Sequence, residues 1–471
     1  MPESILALDV GTTAAKCVAF TTSGRVLASV SRGYPLDIGH GGSRTQDPER
    51  VWDACVAALS EVVDATRGVQ PIALALSTAL HALIGADADG TARTPILTWA
   101  DDRAERQARA LTGTPLGIAL HEETGTPVHP MSPLVKLRWF GEALPTFAPH
   151  WWWGLKEFLV WRLTGTVATD VSSASASGLM TTRTGVWSPL ALDAAGIDAA
   201  RLAPIRACED TAALHASVAT RVGLPVGLPV VLGGGDGPLA SLGSGAIGAQ
   251  DIGISLGTSG AVRRVVHAPG VGADHTRFCF ALGHGTWVVG RAQSNGSSAL
   301  RWAARTFAPE LTTPDGEVND VAVLERIADV PDGSDGLVFQ PFVLPERTPR
   351  WERGQEAHIE HLRAEHTSAH LLRATMEGVI DGLVEMIRDL AADVQAPTYA
   401  ATGGAFRGAL WRTMLVERLS AAVQFSTDTE GTARGAAMIA TISVGLARDL
   451  EDAARRLAPQ EHRADGRGET P

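Results

Sequence analysis

The sequence predicts an α/β protein built from two similar domains that face a shared cleft. Three observations lead to this. The chain has 471 residues, more than one ordinary domain holds. Its start runs strand, tight turn, strand, then a helix and a buried strand of parallel type. The strand–turn–strand unit then recurs about 245 residues later, as duplicated architecture would require.

In chain order, residues 5–9 form a short apolar run that ends on Asp9 and leads into Gly11-Thr12-Thr13. Residues 15–20 then read as the return strand, and Gly24-Arg25-Val26-Leu27 as a turn into a third strand. Asp47-Pro48 supplies a cap and first turn for a helix over residues 48–65. Residues 71–76 follow as a strand buried on both faces. Small residues cluster near 243–248, which puts the domain boundary at 245/246. Beyond it, residues 251–256, Gly257-Thr258-Ser259-Gly260 and residues 261–266 repeat the opening hairpin. Helices are expected over 370–394, 410–422 and 434–457, with a strand at 398–401. From residue 458 the polar, Pro/Gly-containing tail is expected to fray.

The formal charge of -12 argues against a nucleic-acid partner, which needs a basic surface. Cys17, Cys55, Cys208 and Cys279 are scattered, giving neither a zinc pattern nor a disulfide framework. Asp9 interrupts the N-terminal apolar run and no basic patch precedes it, so a signal peptide is not expected. No run of roughly twenty apolar residues is present to span a membrane. The expectation is a soluble cytoplasmic protein with reduced thiols.

Four segments carry chemistry. In Asp9-Val10-Gly11-Thr12-Thr13 the glycine lets an anion approach the backbone, and the threonines can donate to phosphate oxygens. Asp9 could hold Mg²⁺, and Lys16 could offer charge to a transferring phosphate. Taken alone, the motif fits an ordinary hairpin turn equally well. Gly257-Thr258-Ser259-Gly260 repeats the chemistry without the acid. Asp236, displayed by Gly233-Gly234-Gly235 at the end of an apolar run, suits a general base for phosphoryl transfer to an alcohol. A glycine-rich turn capped by Asp is the plainer account of that segment. Thr402-Gly403-Gly404-Ala405 closes a strand, opens a helix and permits close contact with a nucleotide.

These elements, in this order, resemble the FGGY carbohydrate kinases over nearly the whole chain. The most specific piece is Met131-Ser132-Pro133-Leu134-Val135-Lys136-Leu137-Arg138-Trp139, which fits the family's first signature. Residues 370–377 match the end of the second, with His361 where the family has Gly upstream. Residues 342–349 look like the family's Leu-Gly-Glu-Arg-Ala-Pro stretch, with Pro345 in place of Gly. The resemblance implies an actin/hexokinase-like (ribonuclease H-like) pair of domains around a central cleft, with ATP and Mg²⁺ as cofactors. It implies Asp236 as general base, and Asp9 with Asp236 as metal-associated acids. Thr12, Thr13, Lys16, Gly257 and Thr258 would serve the phosphates, and Gly296, Gly403 and Gly404 would lie along the nucleotide. A homodimer is compatible with the sequence.

Substrate choice is expected in the N-terminal domain. Ser77-Thr78-Ala79-Leu80-His81, Thr98-Trp99-Ala100-Asp101-Asp102-Arg103, residues 124–133 and Leu155-Lys156-Glu157 look more like the family's bacterial gluconokinases than its xylulokinases. That implies gluconate, an open-chain acid needing a cation or donor for its carboxylate. His81, Arg103 and Lys156 are the candidates for that task, with Trp99 and Asp101 lining the polyol. Packing or surface roles are the plain alternatives for His81, Trp99 and Arg103. Another polyol or ketose, or a catalytically silent sensor on the same fold, are the rival functions.

Several signals are set aside. Residues 243–248 spell GxGxxG but precede a strand, and residues 253–257 spell GxSxG inside one. His358, His361, His366 and His370 lack a ligand-set pattern, and Trp151-Trp152-Trp153 is expected to pack. Arg434 stands in what the family makes an apolar slot.

Overall fold

The computed structural model describes residues 1–313, 315–344, 346–347 and 356–458. Pro345, Thr348 and Pro349 of the 342–349 stretch (the strap) and the tail from residue 459 lie outside the described residues.

The first sheet contains β1 (Glu3–Val10), β2 (Ala14–Thr21), β3 (Val26–Gly33), β4 (Gln70–Thr78), β5 (Thr211–Ala213) and β6 (Pro229–Gly235), in the order β5-β6-β4-β1-β2-β3. β1, β2 and β3 form an antiparallel meander, while β4 lies parallel to both β1 and β6. Central strands covered on both faces read as continuous apolar runs. In β1, Leu6 and Leu8 enter one core while Ile5 and Ala7 enter another on the opposite face. The first core is closed by α1 (Pro48–Ala65), whose Asp47 cap accepts from the backbone N–H groups of Glu49 and Arg50.

The second sheet contains β7 (Asp251–Leu256), β8 (Gly260–Val266), β9 (Phe278–Gly283), β10 (Thr286–Gln293), β11 (Thr398–Thr402) and β12 (Gln424–Phe425), in the order β9-β10-β8-β7-β11-β12. β7, β8, β10 and β11 repeat the spatial arrangement of β1, β2, β3 and β4, three antiparallel strands with one parallel neighbour on the other side, except that edge strand β9 intervenes in the chain between β8 and β10. The duplicated hairpin thus marks a duplicated sheet.

Other helices used below are α2 (Pro133–Ala143), α3 (Leu155–Thr164), α4 (Asp236–Gly243), α5 (Ser297–Phe307), α6 (Ser368–Ala391), α7 (Ala409–Leu419), α8 (Gly431–Ser443) and α9 (Leu450–Leu457). The predicted helix over 434–457 is two helices. Gly445, at φ +74°, turns the chain after α8, and the N–H groups of Leu446 and Ala447 both return to the Thr441 carbonyl.

Both α8 and α9 pack on the first sheet, where Ala433, Ala437, Ile439 and Leu457 share a core with Ile5, Ala7, Ala73 and Ala75. α8 crosses α4 at backbone distance. A Cβ on Gly435 would lie 2.1 Å from the Leu239 carbonyl oxygen, and one on Gly243 would lie 1.7 Å from that of Gly431. Buried Arg434 donates to the carbonyls of Gly24 (2.7 Å) and Leu457 (3.0 Å) and to Asp428 (2.7 Å), stitching α8 to the first sheet's turn. Its guanidinium lies over Phe20, which is how a charge fits the apolar slot.

Residues 243–248 connect α4 to β7, and Ser255 lies within β7. Trp152 and Trp153 are buried, and no cluster of metal-binding type occurs among the described residues. All four cysteines are buried and free. No helix among the described residues is long and apolar enough to cross a membrane.

Candidate active site

Each central strand ends in one of the Gly-Thr hairpins. Asp9, near the end of β1, is opposite Ser77 of β4, whose hydroxyl donates to Asp9 Oδ1 at 2.8 Å. Burial lifts the Asp9 carboxyl to about 6; the Ser77 hydrogen bond opposes the rise and the charge of Asp236 adds to it. The hairpin itself is pinned on several sides. The Trp99 indole N–H donates to Thr12 Oγ1 at 2.9 Å, the Gln46 amide donates to the Thr12 carbonyl, and the Tyr34 hydroxyl donates to the Gly11 carbonyl at 2.6 Å. Thr13 remains exposed. The Lys16 ammonium donates to the Thr429 carbonyl at 3.1 Å and lies 3.3 Å from Glu430, so its charge is engaged at the start of α8.

The second hairpin is held by the first turn of α5. Gly296 N–H donates to the Thr258 carbonyl (3.1 Å), Ser297 N–H to that of Gly257 (2.8 Å), and the Ser298 hydroxyl again to Thr258 (2.7 Å). A Cβ on Gly296 would lie 2.7 Å from the Gly257 carbonyl oxygen, so glycine permits this contact. Gly403, at φ +114°, presses on Leu256 in the same way, whereas Gly404 faces open space. A cavity of about 540 Å³ lies between Gly257, Thr258, Ser297, Arg301, Leu324, Gly404 and Trp411, a size that suits a nucleotide.

Asp236 begins α4 where β6 ends, and its Oδ1 accepts from the Gly237 N–H at 2.8 Å. The preceding glycines are required by crowding: a Cβ on Gly233 would lie 1.8 Å from the Leu76 carbonyl oxygen, and one on Gly235 would lie 2.2 Å from Leu80. Burial raises the Asp236 carboxyl, with the Gly237 N–H and the Arg263 charge acting against it. Asp236 lines a second cavity, of about 210 Å³, walled by His81, Trp99 and Met131 from the first unit and by Ser259, Arg263, Phe280 and Arg347 from the second.

His81 takes a positive φ of 65°. Its Nδ1 lies 2.8 Å from the Ala176 carbonyl, which can only accept, so the proton is on Nδ1 and Nε2 is an acceptor. Burial, reinforced by the Lys136 charge, holds the imidazole at about 3, neutral at physiological pH. Lys136 of α2, buried and lowered by that burial to about 7, donates to the carbonyls of His81 and Thr98 at 2.6 Å each. One side chain of the family signature therefore fixes both loops that carry His81 and Trp99.

The remaining sequence candidates do not line the Asp236 cavity. Asp101 is buried, receives the Arg44 N–H (2.9 Å) and is bridged by Arg103 (2.8 Å), whose guanidinium lies over Trp139. The pair braces the turn behind Trp99. Lys156 of α3 donates to the carbonyls of Leu76, Leu232 and Gly234, and lies 3.5 Å from the buried carboxylate of Asp170. With its donors directed at strand-end carbonyls, it clamps β4 to β6 beneath Asp236. Sequence reasoning missed Arg263 and Arg347. Arg263 stands next to Arg264 on β8, and strand alternation puts one of two neighbours on the cleft face. Arg347 lies in the strap already noted for its family pattern.

The comparisons bear on this geometry. Residues 4–243 match the FGGY family of carbohydrate kinases, N-terminal domain, and residues 253–444 match its C-terminal domain. The chain belongs to the FGGY family of carbohydrate kinases. A gluconokinase from Bacillus licheniformis is 32% identical to this kinase, covering 98% of the chain and 93% of the relative. The crystal structure of gluconate kinase from Lactobacillus acidophilus superposes with a TM-score of 0.90 at 27% identity, covering 97% of this chain and 92% of that one. Ligand-bound xylulose kinase from the same organism gives 0.89 at 28%, covering 96% and 92%. The kinase thus has the two-domain actin/hexokinase-like fold, and ATP is the co-substrate of its family.

Proposed function

We propose that this kinase transfers the γ-phosphoryl group of ATP to the terminal (6-)hydroxyl of D-gluconate, with Asp236 as general base. The observation that carries the proposal is the position of Asp236 on a cavity walled by both lobes, beside the neutral His81 and two guanidinium groups. Nucleotide would lie in the larger cavity, with its phosphates directed toward Gly257-Thr258 and Thr12-Thr13. Asp236 would accept the hydroxyl proton as the oxygen attacks in line. His81 Nε2 is placed to accept from a substrate hydroxyl, and Trp99 offers an apolar face beside Thr12. The gluconokinase relatives favour the acid over a ketose. A 1:1 domain partnership around one cleft also suits exclusion of water from the transfer.

The donor set fits Mg²⁺. Asp9 and Asp236 sense one another electrostatically, and Mg²⁺ commonly takes one or two carboxylates together with substrate phosphates. Asp9 and Asp236 would hold the ion, which when bound neutralises charge on the β- and γ-phosphates. Residues 1–245 and 246–457 serve in the proposal as the sugar and nucleotide domains, although α8 and α9 of the latter pack on the first sheet.

An ADP-release assay with Mg²⁺-ATP against gluconate, xylulose, ribulose, glycerol and erythritol tests the substrate. Turnover on a neutral polyol alone would overturn gluconate while leaving the kinase. Asp236→Asn should fold and bind ADP but lose about 10²–10⁴-fold in kcat; undiminished turnover would remove Asp236 from its role.

A further inference from the structure

We propose that Arg263 and Arg347, both from the C-terminal lobe, form the receptor for the substrate's carboxylate and select a sugar acid over a neutral sugar. The inference rests on the sugar-kinase reading of the same cavity and assigns the end of the substrate that does not react.

Three observations support it. Both guanidiniums line the cavity that contains Asp236, and each feels the other or Asp236 electrostatically. Arg347 Nη2 donates to the Gln293 carbonyl at 3.0 Å, while its Nε is buried without a partner among the described residues. Arg263 Nη1 donates to Ser255 at 3.0 Å, and no further donor of its fork is bonded among the described residues. Burial, with the neighbouring Arg263 charge, lowers Arg347 to about 10, against the pull of Glu346. Two cations kept together in a confined space call for an anion between or beside them.

The charge balance points the same way. His81 is neutral, so the cavity holds two guanidiniums against the single carboxylate of Asp236. Glu346 offsets Arg347 from behind, with its oxygens already taken by backbone and amide donors, whereas an aldonate brings a carboxylate into the cavity itself, and a planar fork matches a carboxylate.

Arg347 is also positioned by dedicated contacts. Glu346, buried, accepts from the N–H groups of Ser294 (2.6 Å) and Arg347 (2.7 Å) and from the Asn295 amide (2.8 Å). That fixes Glu346 and Arg347 against the end of β10. The guanidinium then lies 5.4 Å over the Trp99 ring, which belongs to the other lobe. Sugar selection, expected from the N-terminal domain, is completed by the C-terminal one.

The test is calorimetric binding of D-gluconate and of its reduced counterpart D-glucitol to the whole kinase, with ADP titrated separately. The wild type should prefer the acid at least about tenfold. Arg347→Gln and Arg263→Gln should each weaken gluconate by about ten- to a hundredfold and lose that preference, with ADP affinity within about twofold of the wild type. Arg347→Lys, which keeps the charge and loses the fork, should fall between and guards against a misfolded Gln variant. Equal binding of acid and alcohol by the wild type would overturn the proposal. So would a preference that survives in both Gln variants, or a matching loss of ADP affinity, which would assign the arginines to the nucleotide phosphates. Should the wild type prefer the acid in binding yet fail to phosphorylate it, gluconate as substrate would fall and the carboxylate receptor would stand.

Discussion

At the residue scale, charge in this molecule is governed by whether backbone groups reach it. Lys136 and Lys156 are both buried, and both have their ammonium groups spent on carbonyl oxygens. Lys156 also neutralises Asp170, which is fully buried. Lys156→Met would strand that carboxylate, so a loss of about 3–5 kcal/mol in urea denaturation is expected. The gluconate KM of the folded fraction should not change; a raised KM at preserved stability would return Lys156 to the pocket. His81 gives a pH prediction. Its native value of about 3 lies below the ordinary 6.5, so on acidification the unfolded chain takes the proton first. Stability from this residue is complete above about pH 6.5 and is lost as pH falls toward 3. At pH 5 the loss is about 2 kcal/mol. His81→Asn, which tolerates the positive φ, should lose less stability than the wild type between pH 7 and 5 by about that amount. Parallel losses in the two proteins would contradict it.

At the element scale, the crossing of α4 and α8 is decided by two glycines. Helices normally pack at axial distances set by side chains, about 8–10 Å. Here Gly435 and Gly243 let backbone meet backbone, which seats α8 over β1 and β4 and sets the start of α4, where Asp236 sits. Gly435→Ala must displace a backbone oxygen 2.1 Å from the new Cβ. A destabilisation of about 1–3 kcal/mol is expected, with kcat reduced through Asp236. Wild-type melting and turnover in that variant would show that the crossing has slack. The loop entering α6 illustrates the reverse case. His361, which the sequence resemblance matches to a Gly, adopts φ +60°, a conformation that costs a side-chain-bearing residue strain.

At the scale of the whole molecule, the two lobes are also laced together along the strand whose Phe280 walls the Asp236 cavity. The N–H of Cys279 on edge strand β9 donates to the Gly125 carbonyl at 2.8 Å, and that of Ala281 to the Ser175 hydroxyl at 2.9 Å. His121 lies 2.9 Å from the Arg277 carbonyl, covering the same edge. The Asp236 cavity draws its walls from both lobes, so substrate binding there should stabilise both. D-gluconate at a hundred times its Kd should add about 2.7 kcal/mol to a single cooperative unfolding transition. Two transitions, only one of them shifted, would place the substrate on one lobe alone.

The sequence by itself determined the parts that depend on local rules. Asp47-Pro48 set the start of α1, the Gly-Thr turns set both hairpins, and apolar continuity set the central strands. Family pattern supplied the kinase, while the apolar run before Gly233-Gly234-Gly235 put Asp236 at a strand end. Tertiary structure decided which charges face the cavity. Arg103 and Lys156 are as polar in sequence as Arg263 and Arg347, but their donors meet a carboxylate and backbone carbonyls first. It also decided that α8 and α9, last in the chain, return to the first sheet. Local propensity fixes where a strand or helix begins because neighbours in sequence make those contacts. The environment of a charge, and the partner of a helix face, depend on residues hundreds of positions away, which only the folded chain brings together.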